Sequence, residues 1–254
     1  MIQQALILAA GRGSRMQEAT LYMPKCLISL QGKPMLHWQI DAIRANQISH
    51  ITVACGYKSE MITGVFKTVH NPLWAETNMV STMLCALPSL DNSPCLVSYS
   101  DILYHPDHIK AFQGCPYEIA VLYDTSWKSL WELRFSNPLD DAETFIEDNG
   151  QLQDIGRKTD SYDDIKGQFM GLLYFTPTGF LLVTDYVKTL STDQISCLDM
   201  TSLLQRLLAE HIKIGAIPVS GKWCEADSRQ DIMCYENEIM KHQQMDTYWL
   251  HDWR

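Results

Sequence analysis

The opening segment constrains the fold more than any other. Apart from Gln3 and Gln4, Ile2–Ala10 is apolar, and the run stops at Gly11-Arg12-Gly13-Ser14. That is the pattern of a strand buried on both faces that runs into a tight loop. Such a strand belongs in the middle of a parallel sheet covered by helices. The next segments agree. Pro34 suits the first position of a helix over 34–46, with Leu36, Ile40 and Ile43 at helical spacing. His50–Cys55 reads as a strand, Lys58–Lys67 as a helix and Pro94–Ser100 as a further strand. The alternation predicts an α/β, Rossmann-like, doubly wound first half.

The middle of the chain changes character. Glu118–Tyr123, Glu143–Glu147, Leu152–Arg157 and Gln168–Phe175 are short strand-like runs between polar turns, which predicts mixed or antiparallel pairing. Helical patterns follow at 177–189 and 198–212, then a strand at Ala216–Val219 and a last helix near 229–243. An aromatic tail, Tyr248, Trp249 and Trp253, is expected to pack on its own domain or on a second copy. With 254 residues and no repeat or linker, one domain over residues 1–254 is expected, a mixed, mainly parallel sheet flanked by helices with a smaller antiparallel element.

Composition narrows the partners. Twenty Lys and Arg against thirty Asp and Glu give a net charge of −10, which argues against nucleic acid or an anionic membrane surface. No apolar stretch approaches the roughly 18 residues of a membrane span, and Met1-Ile2-Gln3-Gln4 lacks a basic leader, so a cytoplasmic location is expected. Eight cysteines without a Cys-x-x-Cys pair suggest buried thiols rather than zinc or disulfides. His105 and His108 flank a predicted helix start and are read as surface or capping residues. Yet residues 1–40 hold four cations, Arg12, Arg15, Lys25 and Lys33, against the single acid Glu18. An anion is expected there.

Leu8-Ala9-Ala10-Gly11-Arg12-Gly13-Ser14-Arg15-Met16 places small residues just past a buried strand, where backbone N–H groups can face a polyphosphate without a Cβ in the way. Met16 stands where a dinucleotide fingerprint needs a third small residue, and the Gly-Lys-Ser/Thr of a P-loop is absent. Pro24-Lys25 and then Gly32-Lys33-Pro34-Met35-Leu36 follow. This ordered set resembles the sugar-phosphate and choline-phosphate nucleotidylyltransferases, and most of all bacterial CTP:phosphocholine cytidylyltransferase-like proteins. It is less similar to the molybdenum-cofactor guanylyltransferases, where the lysine follows the loop more closely. The resemblance implies a nucleotide-diphospho-sugar transferase fold, with residues 1–115 mainly the nucleotide half and 116–254 the acceptor half. It implies that Gly11–Arg15 wrap a triphosphate and that Lys25 neutralises charge across the bond being broken. Lys33 is read as a solvated turn cation.

Val97-Ser98-Tyr99-Ser100-Asp101 puts an acid at the end of a buried strand, where open α/β sheets hold ligands. Mg²⁺ prefers oxygen ligands and is commonly held by one or two carboxylates plus phosphates. The segment Glu225-Ala226-Asp227-Ser228-Arg229-Gln230-Asp231 is similar to the family's late Glu-Ile-Asp-Ser/Thr-x-x-Asp motif, which implies Asp227 as the second Mg²⁺ ligand beside Asp101. The helix-capping reading of Asp227 coexists with that role. Family members often carry Asp-x-Asp at the first site, where this chain has a single carboxylate.

Tyr57, Asn78, Ser81 and Ser100 join Leu8, Ala9, Ala10, Gly11, Arg12, Gly13 and Ser14 as expected nucleotide contacts, since an Asn amide both donates and accepts toward a pyrimidine edge. Arg15 and Lys25 are the expected catalytic cations. For the acceptor, Trp131, Glu132, Arg134 and Asp199 lie in corresponding regions. Trp131-Glu132-Leu133-Arg134 also alternates apolar and charged residues, as a core strand does. The stretch Leu139–Asp164 carries nine acids against Arg157 and Lys158, suited to an amine-bearing acceptor. The implied reaction is Mg²⁺-dependent transfer of CMP from CTP to a small phosphate or phosphonate, in a monomer or homodimer. The alternatives are sugar-1-phosphate transfer with UTP, dTTP or GTP, a non-catalytic nucleotide-binding subunit, and a glycosyltransferase of similar topology.

Overall fold

The computed structural model describes all 254 residues. The strands in chain order are β1 (Gln4–Ala9), β2 (Ser29–Leu30), β3 (Lys33–Pro34), β4 (His50–Cys55), β5 (Lys67–His70), β6 (Cys95–Tyr99), β7 (Ile102–Tyr104), β8 (Ile119–Asp124), β9 (Phe145–Asp148), β10 (Gln151–Ile155), β11 (Gln168–Phe175), β12 (Ile214–Val219) and β13 (Trp223–Glu225). The helices are α1 (Met35–Ala45), α2 (Met79–Ala86), α3 (Asp107–Lys110), α4 (Trp127–Arg134), α5 (Pro177–Val187), α6 (Thr192–Ser196), α7 (Met200–Ala209) and α8 (Arg229–Gln244).

Nine strands form one sheet in the order β5-β4-β1-β6-β11-β8-β12-β10-β9. β1 lies between β4 and β6 and is parallel to both. Its side chains alternate between two cores: Ala5, Ile7 and Ala9 join one cluster, Leu6 and Leu8 the other. This is the two-sided burial expected of a central strand. β11 is antiparallel to both β6 and β8, and β9 and β10 add an antiparallel edge. The fold is thus the mixed, mainly parallel α/β sheet that the sequence predicts.

A small ribbon outside the sheet matters most for the site. β13 pairs antiparallel with β7, Glu225 opposite Ile102, and the Ala226 N–H donates to the Asp101 carbonyl at 2.9 Å. Residues far apart in the chain are thereby clamped beside the end of β6.

Several local expectations are corrected. Lys58–Lys67 is not a helix. Lys58 takes a left-handed conformation (φ 47°), a 3₁₀ turn spans Ser59–Met61, and β5 begins at Lys67 to pair with β4. Gly64 leaves room for the Phe66 ring, and the β-branched Ile62, Thr63 and Val65 disfavour a helix there. The helix expected over 198–212 is present as α7, and its start is set where the Asp199 carboxylate accepts the Ser202 N–H at 2.7 Å. Residues 131–134 lie in helix α4, not in a strand.

The remaining corrections concern burial. Only four of the eight thiols are buried, and Cys197 is exposed at the end of α6. His105 accepts the Asp107 N–H as a cap, but His108 is buried. Lys33 is paired with Asp41 and lies over the Trp38 ring at 4.0 Å. Of the tail, Trp249 and Trp253 pack on this chain's own core while Tyr248 is exposed. No helix is long and apolar enough to cross a membrane.

Candidate active site

The loops after β1 and β6 border a cleft of about 280 Å³. Leu8, Ala10, Gly11, Gly13, Ser14, Asn78 and Ser100 line it, together with Arg15, Lys25 and Asp101. Gly13 has φ +70°, a conformation that favours glycine. Asn78 caps α2, its Oδ1 accepting the Met79 N–H at 2.8 Å. Four expected nucleotide residues lie elsewhere. Ala9, the last residue of β1, is buried in the core, and exposed Arg12 sits over the Tyr57 ring at 5.7 Å. The Tyr57 hydroxyl donates to the Thr20 carbonyl at 2.8 Å, bracing the loop from behind. Ser81 donates to the Ile195 carbonyl. Trp74, Thr77 and Thr82 line the cleft instead. They fall in an irregular loop and on a helix face, where residue type alone carries little signal.

The charges meet at one end of this cleft. Lys25 Nζ lies 2.7 Å from both Asp101 Oδ2 and Asp227 Oδ1, and Arg15 Nη2 reaches Asp227 Oδ1 at 2.8 Å. The Lys25 side chain is 9% exposed, whereas that of Arg15 is 67% exposed. Burial alone would lower the Lys25 ammonium pKa, but Asp101 and Asp227 outweigh it and hold the pKa raised, so the charge is kept. Burial pushes Asp227 up as well, yet Lys25, then Arg15 and Arg134, hold it at about 2. Glu225, two residues earlier on the same face, goes the other way. Burial, reinforced by the charge of Asp227, lifts it to about 8.

A second cavity of about 390 Å³ opens on the other side of this cluster and shares Arg15, Met79 and Tyr99 with the first. Trp131 and Asp199 line it, with Glu143, Gln168, Thr201 and Glu225. Glu132 does not; it is exposed on α4 and lies 3.9 Å from Lys128. Arg134 does not line it either. Its side chain has no exposed surface and pairs with Glu225, Asp227 and Asp231. Both were expected at the acceptor.

A family model described as a MobA-like NTP transferase domain matches residues 5–136. The chain is 32% identical over 245 residues to a CTP:phosphoglutamine cytidylyltransferase of Campylobacter jejuni, covering 90% of this chain and 97% of the relative. The chain belongs to the MobA-like NTP transferase family. This NTP transferase is also 28% identical over 179 residues to a 2-aminoethylphosphonate cytidylyltransferase of Lancefieldella rimae, covering 68% of this chain and 66% of the relative. In fold it is similar to the inositol-1-phosphate CTP transferase from T. maritima, with a TM-score of 0.77, 17% identity and 98% of each chain covered. The protein is a nucleotidyltransferase enzyme, of the class to which the C. jejuni and L. rimae relatives belong.

The NTP transferase has a donor set suited to a hard divalent cation. One oxygen each from Asp101, Glu225 and Asp227 lie within 4.8 Å of one another, and carboxylate oxygens are what such a cation prefers. Asp101 Oδ1 is buried without a hydrogen-bond partner, a lone pair that a cation would satisfy. Glu225 escaped the sequence reading although the signal was present. It stands two positions before Asp227, the spacing that puts two side chains on one face of an extended segment.

Proposed function

We propose that this NTP transferase moves CMP from CTP to a small phosphorylated acceptor bearing an amine and releases pyrophosphate, with Mg²⁺ held by Asp101 and Asp227. One observation carries the reading. Lys25 Nζ bridges the two aspartates at 2.7 Å where the two cavities meet. The names of the C. jejuni and L. rimae relatives support CTP as donor and a nitrogen-bearing phosphate or phosphonate as acceptor.

The chemistry asks for positioning and charge rather than proton abstraction. An acceptor phosphate is largely dianionic near neutral pH, its second pKa being about 6, and attacks the α-phosphorus without a base. The phosphate–acceptor bond forms as the bond to pyrophosphate breaks. Backbone N–H groups of Gly11–Arg15 cradle the triphosphate. Lys25 keeps its positive charge, and Arg15, exposed between the cavities, reaches the phosphates from the open side. When bound, Mg²⁺ neutralises charge on the phosphates and helps align them for in-line displacement. On the acceptor side, Glu143 and Asp199 face the larger cavity and suit an ammonium group.

Pyrophosphate release measured over a panel of nucleotides and acceptors tests the reading. CTP with phosphorylated amines or amides is expected to turn over, with EDTA abolishing activity and Mg²⁺ restoring it. Turnover only with UTP, dTTP or GTP and sugar 1-phosphates, or with no pair, would overturn it.

A further inference from the structure

We propose that Arg134 is a positioning residue that sets the Asp227 carboxylate, rather than a ligand of the acceptor. This rests on the reading above, in which Asp227 holds the cation. The guanidinium makes three contacts at once: Nη2 with Asp227 Oδ2 at 3.1 Å, Nε with Asp231 Oδ1 at 3.2 Å and Nη1 with Glu225 Oε2 at 3.4 Å. Its side chain is fully covered, with the Trp131 and Phe135 rings at 5.2 and 5.0 Å.

The two oxygens of Asp227 are thereby divided. Oδ2 is taken by Arg134 from behind, which leaves Oδ1 facing Lys25 and Arg15. The grip extends to the backbone. Asp231, held by Arg134 through Oδ1, accepts the N–H groups of Asp227 and Ser228 through Oδ2 at 2.9 and 2.8 Å. One side chain on α4 therefore fixes both the rotamer of Asp227 and the turn that carries it.

Only a planar fork reaches three carboxylates in this way; a lysine ammonium is a point charge on a flexible stem. Asp101, Glu225, Asp227 and Asp231 face only Lys25, Arg15 and Arg134 here.

Binding of Mn²⁺ alone, followed by electron paramagnetic resonance, tests the inference in the full-length protein. Arg134→Lys, checked for folding by circular dichroism, is expected to bind Mn²⁺ about tenfold more weakly. The Mg²⁺ concentration for half-maximal rate should rise by a similar factor, with the acceptor KM unchanged. Wild-type Mn²⁺ affinity in this variant, or a raised acceptor KM with Mn²⁺ binding intact, overturns the inference and leaves the proposed function standing. If Arg134→Lys does not fold, Asp231→Asn replaces it. Severalfold weaker Mn²⁺ binding then supports the inference and unchanged binding overturns it. If wild-type protein binds no Mn²⁺, or Asp227→Asn binds it equally well, the proposed function fails and this inference with it.

Discussion

The stem of Lys25 occupies the space that a side chain on Gly13 would need. A Cβ built there falls 2.7 Å from both Cβ and Cδ of the lysine, on a backbone with φ +70°. Glycine at 13 is thus a condition for placing the ammonium between the two aspartates. Gly13→Ala forces an unfavourable left-handed residue, costing about 1–2 kcal/mol, and displaces Lys25. A shift of about 1 Å in a positioning group can lower the rate by roughly 100-fold. Steady-state pyrophosphate release should show kcat falling by about that factor, with only a modest drop in melting temperature.

Replacing Lys25 by Met removes the buried charge that faces Asp101 and Asp227. Loss of one preorganised electrostatic partner typically lowers kcat by about 10²–10³, and single-turnover assays should show at least this. The stability cost of the broken buried pairs is about 3–5 kcal/mol. Urea unfolding should find a lower midpoint in Lys25→Met, partly restored by added Mg²⁺.

Acid sensitivity is expected from a residue outside the site. Burial, followed by the charges of His105 and Lys222, lowers the His108 pKa to about 4, and its Nδ1 has no hydrogen-bond partner. In the unfolded chain the group titrates near its ordinary 6.5. Between these values the unfolded state binds a proton that the folded state does not. Stability is therefore full above about pH 6.5 and is lost as the pH falls toward 4. A loss of about 2 kcal/mol is expected on moving from pH 7 to pH 5. Urea midpoints across that range should show it, and His108→Leu should flatten the dependence.

The carboxyl tail is structural. Trp253 is 2% exposed and meets Trp38 edge-to-face at 5.9 Å, and Trp249 lies 5.5 Å from the Tyr235 ring. Trp253→Ala should cost about 3–5 kcal/mol, read as a lower urea midpoint. Because Trp253 lines neither cavity, nucleotide affinity at low temperature should be close to wild type.

Most of the sheet was legible because its central strands are short apolar runs punctuated by Gly, Pro and polar turns. β4 and β11 fall at the residues that the pattern predicts. The charged core was legible too, since Lys25, Asp101 and Asp227 stand in recognisable surroundings. Arg134 was misplaced for a local reason. Trp131-Glu132-Leu133-Arg134 alternates as a strand does, but the segment is helical. A helix puts Trp131 and Arg134, three apart, on one inward face and turns Glu132 to solvent. The choice of period decided both roles. Lys58–Lys67 failed for a different local reason, because a left-handed Lys58 and the β-branched Ile62, Thr63 and Val65 outweighed a faint helical pattern.

Every residue bordering the smaller cleft precedes position 102, whereas all but four of those around the larger cavity follow position 130. On the proposed function, donor and recipient would therefore be read largely by different stretches of polypeptide. Variation after position 130 that spares Arg134, Glu225, Asp227 and Asp231 could then retune which small molecule is activated while the reaction itself stays intact, so the fold can diversify its clientele one wall at a time.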